Sequence, residues 1–517
     1  MTEPVDGQTF HDVIALEELK EGEIYPLSVA GLPVVLVRRG ETVRALGGKC
    51  PHKGAPMEQG AFCQTKEHGD VVVCPWHKSV FDVTTGAVVE PVAFAPLPVY
   101  PVEVIQGRVL VGVIAEAVLE PEPVKPDETV LIIGGGGAAA SAVYTLRQGG
   151  FAGPITMVCQ EKKLPYNRTA LSKTVLLSDP EKINVPVLLD EAYYKKHNVT
   201  TIYDSVTAFD SATHVATLAS GQTVRGGSVI LAMGASPNDL GLPGGDLAGV
   251  RHLNTIEDAH SIADEVRPED AVVLMGGGFI CLEVASSLRQ KGVGVTIISP
   301  EAVPMEGQFG RELGSRLLQL HEENSVAFIY DSRVTRIVGE GRVKGVELDD
   351  GTILSCSHVI PALGGHPESA IITDLPKSET GALLVDEAMR VKGNIYAAGD
   401  VAALKWGGKT WGFMHWRHAL VMGRIAARSI LGDRVNNVPT PWFWTQQFGK
   451  KLEYLGWGEP FDHVVIEGDL RSFEFLATFR NKERVVGLVG SGKPAEMAEA
   501  AVNYRKFIRE EIGEVPV

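Results

Sequence analysis

Apolar and polar residues form short alternating runs in the first 117 positions of the chain. VVLVRRG, TVRALGG, VVVCPWH and RVLVGVI are rich in Val and Leu and are followed by turn residues. Runs of this length and composition, bounded by turns, are typical of β-strands, and helical periodicity is scarce beyond the first twenty residues. The pattern predicts an all-β domain over residues 1–117.

The strand pattern is lost in the stretch EAVLEPEPVKPDE, which follows Ala115. This stretch is rich in Pro and Glu and has no apolar periodicity, as is typical of an extended linker. We therefore predict a linker over residues 118–128, with separate domains before and after it.

Beyond the linker the same order of strand, glycine loop and helix occurs twice. TVLIIGGGGAAASAVYTLRQGG contains the first copy and AVVLMGGGFICLEVASSLRQKGVGVTIIS the second. Two such units predict two nucleotide-binding domains of one architecture. Strand patterns such as LEYLGWG and SFEFLATF return near the C-terminus and are followed by a helical pattern, so residues 435–517 are predicted to form an α+β domain.

Composition and charge narrow the class of protein. Of the 517 residues, 44% are hydrophobic and 22% charged, which excludes wholesale disorder. A net charge of −16 disfavours a nucleic-acid binder. No apolar run is long enough to span a membrane, the N-terminus lacks a secretory signal, and six cysteines are too few for a disulfide scaffold. We therefore expect a cytoplasmic protein with no nucleic-acid partner and no membrane partner.

Two cysteine–histidine pairs are the strongest chemical signal in the chain. Cys50 and His52 form C-x-H, and Cys74 and His77 form C-x-x-H after 21 intervening residues. This pattern resembles the Rieske family, which implies a [2Fe–2S] cluster with both cysteines on one iron and both histidines on the other. A zinc site needs the same ligand types and is the alternative. Zinc is disfavoured because C-x-H is not a finger knuckle and the helix that carries the histidine pair of a finger is missing.

The first glycine loop has the order Gly134-x-Gly136-x-x-Ala139, follows the strand TVLII and opens a helix. Glycines at these positions allow a tight turn and the close approach of a pyrophosphate to the helix N-terminus. The next strand, PITMVC, ends just before Glu161, whose carboxylate is placed to bind adenosine ribose hydroxyls. An ordinary surface glutamate is the alternative.

The second glycine loop, Gly276-x-Gly278-x-x-Cys281, departs from the usual pattern at its third position, where cysteine replaces glycine. The strand that follows, VTIIS, leads to Glu301. An acidic residue at this point favours a free ribose 2′-hydroxyl and therefore predicts NADH rather than NADPH.

A late motif assigns the two loops to different nucleotides. NIYAAGD, which ends at Asp400, resembles the late FAD motif of two-dinucleotide-domain flavoproteins, whose aspartate binds the ribitol. VILAMGASP and VIPALGGHP resemble the crossover segments on either side of the NAD domain in that family. The resemblance implies an FAD-binding domain over 129–245 and 368–434, with an NAD-binding domain inserted over 246–367.

Two further segments resemble ferredoxin reductases. PYNRTALSK, residues 165–173, is similar to the R-P-P-L-S-K segment of these enzymes and of apoptosis-inducing factor. The resemblance implies that Arg168 belongs to the FAD site and that Lys173 lies beside the reactive edge of the flavin, paired with Glu283. PWFWTQQ resembles their P-W-F-W-S-D-Q stretch and implies that Trp444 lies near the nicotinamide side of the flavin; core packing is the alternative for this residue.

Together these motifs identify the chain as a member of the apoptosis-inducing-factor-like flavoproteins with an N-terminal Rieske domain, close to the ferredoxin reductases of oxygenase systems. The implied fold is multidomain: an all-β Rieske domain, an α/β flavoprotein with two dinucleotide-binding domains, and an α+β C-terminal domain. The implied function is an NADH-dependent FAD oxidoreductase that passes electrons through the [2Fe–2S] cluster to a protein acceptor, such as an oxygenase component.

Two other functions were weighed. A disulfide reductase shares the flavoprotein body but needs a redox cysteine pair near the first FAD helix, where Cys159 is solitary. A redox-signalling or interaction protein, which apoptosis-inducing factor is in part, is the other alternative.

Overall fold

The N-terminal part of the chain is a β-domain. The computed structural model describes residues 8–65, 68–115, 121–435, 441–501 and 504. The strands of the β-domain are β1 (Phe10–Ala15), β2 (Ile24–Val29), β3 (Leu32–Arg39), β4 (Thr42–Gly47), β5 (Ala61–Thr65), β6 (Gly69–Val73), β7 (Val80–Asp82), β8 (Val88–Glu90), β9 (Val99–Tyr100), β10 (Val102–Ile105) and β11 (Arg108–Gly112).

These strands form antiparallel sheets with the orders β2-β3-β4-β9, β5-β6-β7-β8 and β1-β11-β10. Alternating side chains of β3 and β4 point into two apolar clusters, one on each side of that sheet. Because β1 pairs with β11, the first and last strands of the domain lie in one sheet. Residues of β1 and β11 also contribute to one of the two apolar clusters.

The predicted linker runs against the next domain. Residues 118–120 lie outside the described residues, and the part from 121 onward has one β-bridge, at Val124, and a turn at 126–127. The Val124 N–H donates to the carbonyl of Gly150 at 2.8 Å, and the Ala152 N–H donates to the carbonyl of Val124 at 2.8 Å. This half of the segment is therefore held by backbone hydrogen bonds to the domain that follows it.

The first nucleotide-binding domain begins with a strand, a glycine loop and a helix. Its first elements are β12 (Val130–Ile133), α1 (Gly137–Gln148), β13 (Ile155–Cys159), α2 (Glu191–Lys196), β14 (Val199–Tyr203), β15 (Val206–Asp210), β16 (Val215–Leu218), β17 (Thr223–Arg225), β18 (Ser228–Leu231) and β19 (Ala235–Pro237).

The second nucleotide-binding domain is inserted after β19. Its elements are α3 (Ile256–Glu265), β20 (Ala271–Met275), α4 (Phe279–Gln290), β21 (Gly294–Ile298), α5 (Glu306–Glu323, with a break at Gly310), β22 (Ala327–Ile329), β23 (Val334–Glu340), β24 (Arg342–Leu348), β25 (Ile353–Ser355), β26 (His358–Pro361) and β27 (Gly365–Pro367). Strand β27 pairs with β19, so the chain enters and leaves this domain side by side.

The chain then returns to the first nucleotide-binding domain and ends in an antiparallel sheet. The remaining elements are β28 (Leu383–Val385), β29 (Arg390–Lys392), β30 (Ile395–Ala397), β31 (Ala402–Trp406), β32 (Lys409–Trp411), α6 (Trp416–Leu431), β33 (Trp442–Gln447), β34 (Lys450–Gly456), β35 (His463–Asp469), β36 (Glu474–Asn481) and β37 (Arg484–Ser491). A helix over 494–501 follows the last strand.

The two nucleotide-binding sheets share one design. The first has the order β14-β13-β12-β18-β30-β29 and the second the order β22-β21-β20-β26, and both are parallel apart from the β29–β30 pair. In each sheet the first strand is central and its glycine loop lies at the carboxyl edge, where ligands bind in open α/β sheets. The terminal sheet has the order β33-β34-β37-β36-β35. The predicted fold class is confirmed.

Helices α1 and α6 cross at very close range over the first sheet. A Cβ atom on Gly423 of α6 would lie 2.1 Å from the carbonyl oxygen of Ala138 of α1. Only glycine permits this approach. The crossing brings the start of α6, at Trp416, next to the first glycine loop.

Candidate functional site

The two cysteine–histidine loops follow β4 and β6 and meet at one end of the β-domain. The Cys50 N–H donates to the carbonyl of Ala55 at 2.9 Å, which closes the first loop on itself, and the Cys74 loop is closed in the same way. The rings of His52 and His77 are edge to face, with centroids 4.9 Å apart. The structure thus pairs the two predicted histidine ligands at the end of the domain where both loops meet.

The two thiols of these loops are paired with each other, and the two imidazoles are in the form that binds metals. The Cys50 and Cys74 thiols are hydrogen-bonded to each other, which raises the pKa of Cys50 and lowers that of Cys74 to about 7. Burial lowers the pKa of His52 to about 4 and that of His77 to about 2. Both imidazoles are therefore neutral near pH 7, the form in which histidine binds metals.

The donor set of the loops fits a [2Fe–2S] cluster. The Nδ1 atom of His52 is buried and has no hydrogen-bond partner among the described residues. A buried polar atom left unpaired costs free energy unless a ligand engages it. Two paired thiols beside two neutral imidazoles are the donors of a Rieske cluster.

The first glycine loop borders a cavity of about 800 Å³. Gly134 has φ +126°, and a Cβ atom there would lie 2.0 Å from the carbonyl oxygen of Ala232, so only glycine fits. Gly136 precedes α1 and faces open space. Ala139 is fully buried in the apolar core behind the loop. The loop therefore leaves room for a pyrophosphate at the N-terminus of α1.

Glu161 and Arg168 also line this cavity, but they are bound to each other. The Glu161 carboxylate accepts hydrogen bonds from the Arg168 guanidinium and, at 2.6 Å, from the Tyr166 hydroxyl. Arg168 also donates to the carbonyl of Asn254 at 2.7 Å. Sequence reasoning placed both charged residues at the nucleotide but missed this ion pair and the role of Tyr166 in it.

Asp400 lies on the wall of the same cavity. Its Oδ1 atom is buried and has no hydrogen-bond partner among the described residues. Burial raises the pKa of Asp400 to about 6, although the positive charge of Arg168 opposes the rise. A hydroxyl of a polyol chain would supply the missing partner, so the glycine wall and Asp400 together fit FAD.

Lys173 and Glu283 form an ion pair on the cavity wall, in which Glu283 is buried and Lys173 is partly buried. The Lys173 ammonium donates to Oε2 of Glu283 at 2.6 Å, and the Ser172 hydroxyl donates to the same oxygen at 2.5 Å. The Thr445 hydroxyl donates to Oε1 at 2.9 Å. Glu283 is 3% exposed, so these partners replace the water that a carboxylate would otherwise need.

The second glycine loop has nearly the same backbone as the first. Gly276 has φ +118°, and a Cβ atom there would lie 2.7 Å from a backbone oxygen, whereas Gly278 faces open space. Glu301 lies beside this loop, with Oε2 3.5 Å from where a Cβ atom of Gly277 would be. No described residue makes a hydrogen bond or ion pair with that carboxylate. Cys281, the departure from the pattern, is buried within α4 and does not disturb the loop.

Trp444 stands between the cavity and the cysteine–histidine loops. It lines the cavity, and its ring centroid is 4.8 Å from that of His77. Trp416, the first residue of α6, lies edge to face with it at 6.3 Å. Trp444 also packs against the apolar core and lies 5.2 Å from Trp442 between ring centroids, so its contacts fit both the cofactor interpretation and the core-packing alternative.

Buried charges join the β-domain to the rest of the chain, and sequence reasoning missed them. Lys78 is 1% exposed; its ammonium lies 3.0 Å from Glu453 of β34 and donates to the carbonyl of Pro494 at 3.2 Å. Arg417 of α6 donates to Glu90 of β8 at 2.9 Å. A lysine after a metal-binding loop is usually solvated, so no local signal marked Lys78 as an interface residue.

The fold and these sites define a pyridine-nucleotide-dependent flavin oxidoreductase that carries an iron–sulfur domain. The chain belongs to the pyridine nucleotide-disulphide oxidoreductase family, whose model matches residues 128–423. The Rieske [2Fe-2S] domain model matches residues 9–101, and the reductase C-terminal model matches residues 442–512. The cofactors are FAD, NAD(H) and a [2Fe–2S] cluster, so the Rieske prediction is confirmed over the zinc alternative.

Known proteins of two kinds resemble the chain. Apoptosis-inducing factor 3 of Homo sapiens is 27% identical over 524 residues, covering 97% of this chain and 85% of that protein. Rhodocoxin reductase of Rhodococcus erythropolis is 31% identical over 401 residues, covering 75% and 91%. The crystal structure of the ferredoxin reductase for the CYP199A2 system of Rhodopseudomonas palustris has a TM-score of 0.69 at 30% identity, covering 72% and 93%.

The chain is therefore a Rieske-fused, apoptosis-inducing-factor-like oxidoreductase of the ferredoxin-reductase type, as predicted. Within the residues that the structure describes, no helix combines the length and apolar character needed to cross a membrane.

Proposed function

We propose that this protein carries electrons from NADH, through FAD and the Rieske cluster, to a downstream protein acceptor such as an oxygenase component. The observation that carries the proposal is the position of Trp444, which lines the nucleotide cavity and contacts His77. When bound, FAD takes up a hydride and releases single electrons, which an iron–sulfur cluster can carry. The names of the reductase relatives, which refer to rhodocoxin and to a ferredoxin, support a protein acceptor.

The glycine loops and Glu301 bind and select the nucleotides in this proposal. Each loop opens a helix whose N-terminal amides attract a pyrophosphate. The uncommitted carboxylate of Glu301 accepts a hydrogen bond from the ribose 2′-hydroxyl of NADH and repels the 2′-phosphate of NADPH. Glu161, already paired with Arg168, retains lone pairs for the ribose hydroxyls of FAD.

Lys173 and Glu283 act at the reactive end of the cavity. The ammonium is a fixed positive charge on the wall, and such a charge stabilises negative charge that develops opposite it in a water-poor site. Glu283 holds the ammonium in place, while Ser172 and Thr445 hold Glu283. Because Lys173 lies between β13 and β14 of the first nucleotide-binding domain and Glu283 lies on α4 of the second, this pair also ties the two domains together.

The test of the proposal is Cys74→Ser, because a hydroxyl is a poor substitute for a thiolate ligand. We expect the variant to lose its two irons and its cluster EPR signal, to keep FAD, and still to reduce ferricyanide with NADH. Electron delivery to a one-electron protein acceptor, for which plastocyanin serves as a probe, should be lost. Cys63→Ser, in β5 of the same domain, is the matched control and should keep both activities. Full plastocyanin reduction by Cys74→Ser would show that the cluster is not on the electron path.

A further inference from the structure

Neighbouring residues on both sides build the contact between the β-domain and the terminal sheet. On the sheet, Trp444 of β33 lies directly opposite Glu453 of β34, and directly opposed residues of an antiparallel pair point to the same face. His77 contacts Trp444, with ring centroids 4.8 Å apart. Lys78, the next residue of the loop, places its ammonium 3.0 Å from Glu453. A buried ion pair therefore lies immediately beside the ring contact between the two parts of the chain.

The backbone of Lys78 has a conformation that lysine adopts infrequently. Its φ is +56°, in the left-handed region that glycine enters more easily. Its side chain is nevertheless 1% exposed, and its ammonium also donates to the carbonyls of Pro75 at 2.7 Å and Pro494 at 3.2 Å. These contacts offset the backbone strain. The lysine side chain thus gives this turn an attachment to the terminal domain that glycine would not provide.

A second buried ion pair joins the same turn to helix α6. The Arg417 guanidinium donates to the Lys78 carbonyl at 3.1 Å and to Glu90 of β8 at 2.9 Å. The side chains of Arg417 and Glu90 are 4% and 6% exposed. Removing one partner of such a pair leaves the other charge buried without compensation, which is strongly unfavourable. Both the backbone and the side chain of Lys78 are therefore bound to the reductase part of the chain.

Strand β33, which receives the β-domain, is itself held at the nucleotide cavity. Thr445, the residue after Trp444, donates to Glu283 at 2.9 Å, and Glu283 binds the Lys173 ammonium at 2.6 Å. Successive residues of a strand point to opposite faces. One face of β33 is thus bound to the ion pair of the cavity wall and the other face contacts the β-domain, so the strand fixes the separation of the two sites.

We infer that Lys78, Glu453, Glu90 and Arg417 are positioning residues for electron transfer. Their two ion pairs, Lys78–Glu453 and Glu90–Arg417, hold the cluster end of the β-domain against Trp444, so that the cluster receives electrons in this docked position and the β-domain does not swing away during turnover. The inference rests on the proposed function and adds to it the residues that set the distance between flavin and cluster.

The electrons balance in single steps. Hydride transfer from NADH gives the flavin two electrons and releases NAD⁺. The two electrons leave the flavin one at a time, each reducing one ferric iron of the cluster to ferrous, and one proton is released to water. Each electron passes to a one-electron acceptor before the next arrives, so one NADH reduces two acceptor molecules.

Position and charge make different predictions for these residues. Electron transfer slows steeply as the separation of donor and acceptor grows, so loss of Lys78 or of Glu453 should slow cluster reduction alike. Charges near an iron–sulfur cluster also shift its reduction potential. If that were their only role, removing the lysine would slow cluster reduction and removing the glutamate would accelerate it, because the two charges have opposite signs.

The experiment uses the full-length holoprotein and the variants Lys78→Gly, Glu453→Gln and Glu90→Gln. Glycine suits the left-handed φ of position 78, so the cysteine–histidine loop should keep its backbone. Iron content and the EPR spectrum establish that each variant retains its cluster. If Lys78→Gly loses iron, Glu453→Gln decides the inference, because Glu453 lies outside the domain that holds the cluster.

Glu459→Gln is the matched control. Glu459 is a carboxylate of the terminal domain that is 11% exposed and has two cationic partners, Lys409 at 3.3 Å and Arg484 at 2.7 Å. Both partners lie outside the β-domain. The control therefore disturbs a comparable group of charges without touching the contact between the two parts of the chain.

Two measurements are made on each protein. Stopped-flow absorbance with NADH follows flavin reduction and cluster reduction as separate phases. Hydrogen exchange without NADH, read by mass spectrometry, reports the protection of residues 74–79 and 442–456. The second measurement needs no electron transfer, so it shows whether the ion pairs hold the interface even if the proposed function fails. That failure would appear as a wild-type cluster that NADH does not reduce.

We expect each of the three variants to slow cluster reduction at least about tenfold, with flavin reduction unchanged and with faster exchange in both segments. Glu459→Gln should match wild type in both phases and in the exchange of residues 74–79. Slower cluster reduction in Lys78→Gly together with faster reduction in Glu453→Gln would overturn the inference, because the charges would then act through the potential. Unchanged cluster reduction in both variants, or slower reduction with wild-type exchange at the interface, would also overturn it.

Discussion

The two glycine loops have the same backbone but different electrostatics. Gly134 and Gly276 have φ +126° and +118°, and a side chain at either would collide with a neighbouring backbone oxygen. The acids that follow differ: Glu161 is bound to Arg168, whereas Glu301 has no partner among the described residues. Equal local sequence thus produces equal backbone geometry, while the charge of each site depends on what distant parts of the chain bring to it.

The largest expected effect tests the shared backbone. Gly134→Ala places a Cβ atom 2.0 Å from a carbonyl oxygen, whereas Gly276→Ala places it at 2.7 Å. We expect Gly134→Ala to be purified without FAD, and Gly276→Ala to keep FAD but bind NADH about tenfold more weakly, the usual scale for an overpacked site. Flavin absorbance and NADH titration measure the two effects. Equal FAD content in the two variants would contradict the assignment of the first loop to FAD and the second to NADH.

The next effect tests the difference in charge. Like charges about 4 Å apart cost on the order of 4 kcal/mol at an effective dielectric constant of about 20, before screening. Glu301→Lys removes such a repulsion toward a 2′-phosphate, so the preference for NADH over NADPH should fall at least about tenfold. Stopped-flow flavin reduction with each nucleotide gives the ratio.

Glu161→Lys is the matched variant of the other loop. It leaves Arg168 beside a second cation, so we expect lower FAD content and an unchanged nucleotide preference. If Glu161→Lys altered the NADH to NADPH ratio as much as Glu301→Lys, the two acids would not have the separate roles proposed here.

Removing the ion pair between the two nucleotide-binding domains should have a smaller effect on activity. Lys173→Met and Glu283→Gln should each slow flavin reduction by NADH about tenfold while FAD stays bound, because the positive charge on the cavity wall is removed or released. The double variant should lose little more than either single one, since the two residues act as a unit. Lys182→Met, which removes an exposed lysine paired with Asp179, is the control. Unchanged kinetics in both single variants would make the pair purely structural.

The smallest expected effect is a pH dependence at Asp400, whose pKa burial raises to about 6. Above that pH the ionised carboxylate accepts a stronger hydrogen bond from a hydroxyl than the neutral acid does. FAD affinity should therefore fall a few-fold from about pH 7.5 to about pH 5 in wild type, but not in Asp400→Asn. Flavin fluorescence in a titration of the flavin-free protein measures it.

Protonation of Asp400 lowers FAD affinity but raises the stability of the flavin-free protein. The two pH effects therefore run in opposite directions and can be told apart. Because the folded-state pKa is raised, the stability contribution of Asp400 in the flavin-free protein is present at low pH and is lost as pH rises through about 6. Asp400→Asn should flatten this part of the melting profile. A wild-type profile that falls on acidification through the same range, and does so only when Asp400 is present, would contradict the assignment.

Local sequence determined the elements and the groups that can bind cofactors. The C-x-H and C-x-x-H loops close through backbone hydrogen bonds only a few residues apart, as between Cys50 and Ala55. The glycine loops are predictable because the tight turn from a strand into a helix requires glycine at fixed positions. Short-range sterics and side-chain periodicity govern such features, so their pattern is visible in the chain itself.

The tertiary structure alone decided how these parts face one another. Lys78 is 375 residues from Glu453, and Thr445 is 162 residues from Glu283, yet each pair is in contact inside the protein. Trp444 meets His77 because the terminal sheet packs against the β-domain. A strand or helix pattern records what each element needs in order to bury its own apolar face. The pattern does not predict which distant charged residue will be buried beside the element, because that depends on how whole domains pack together.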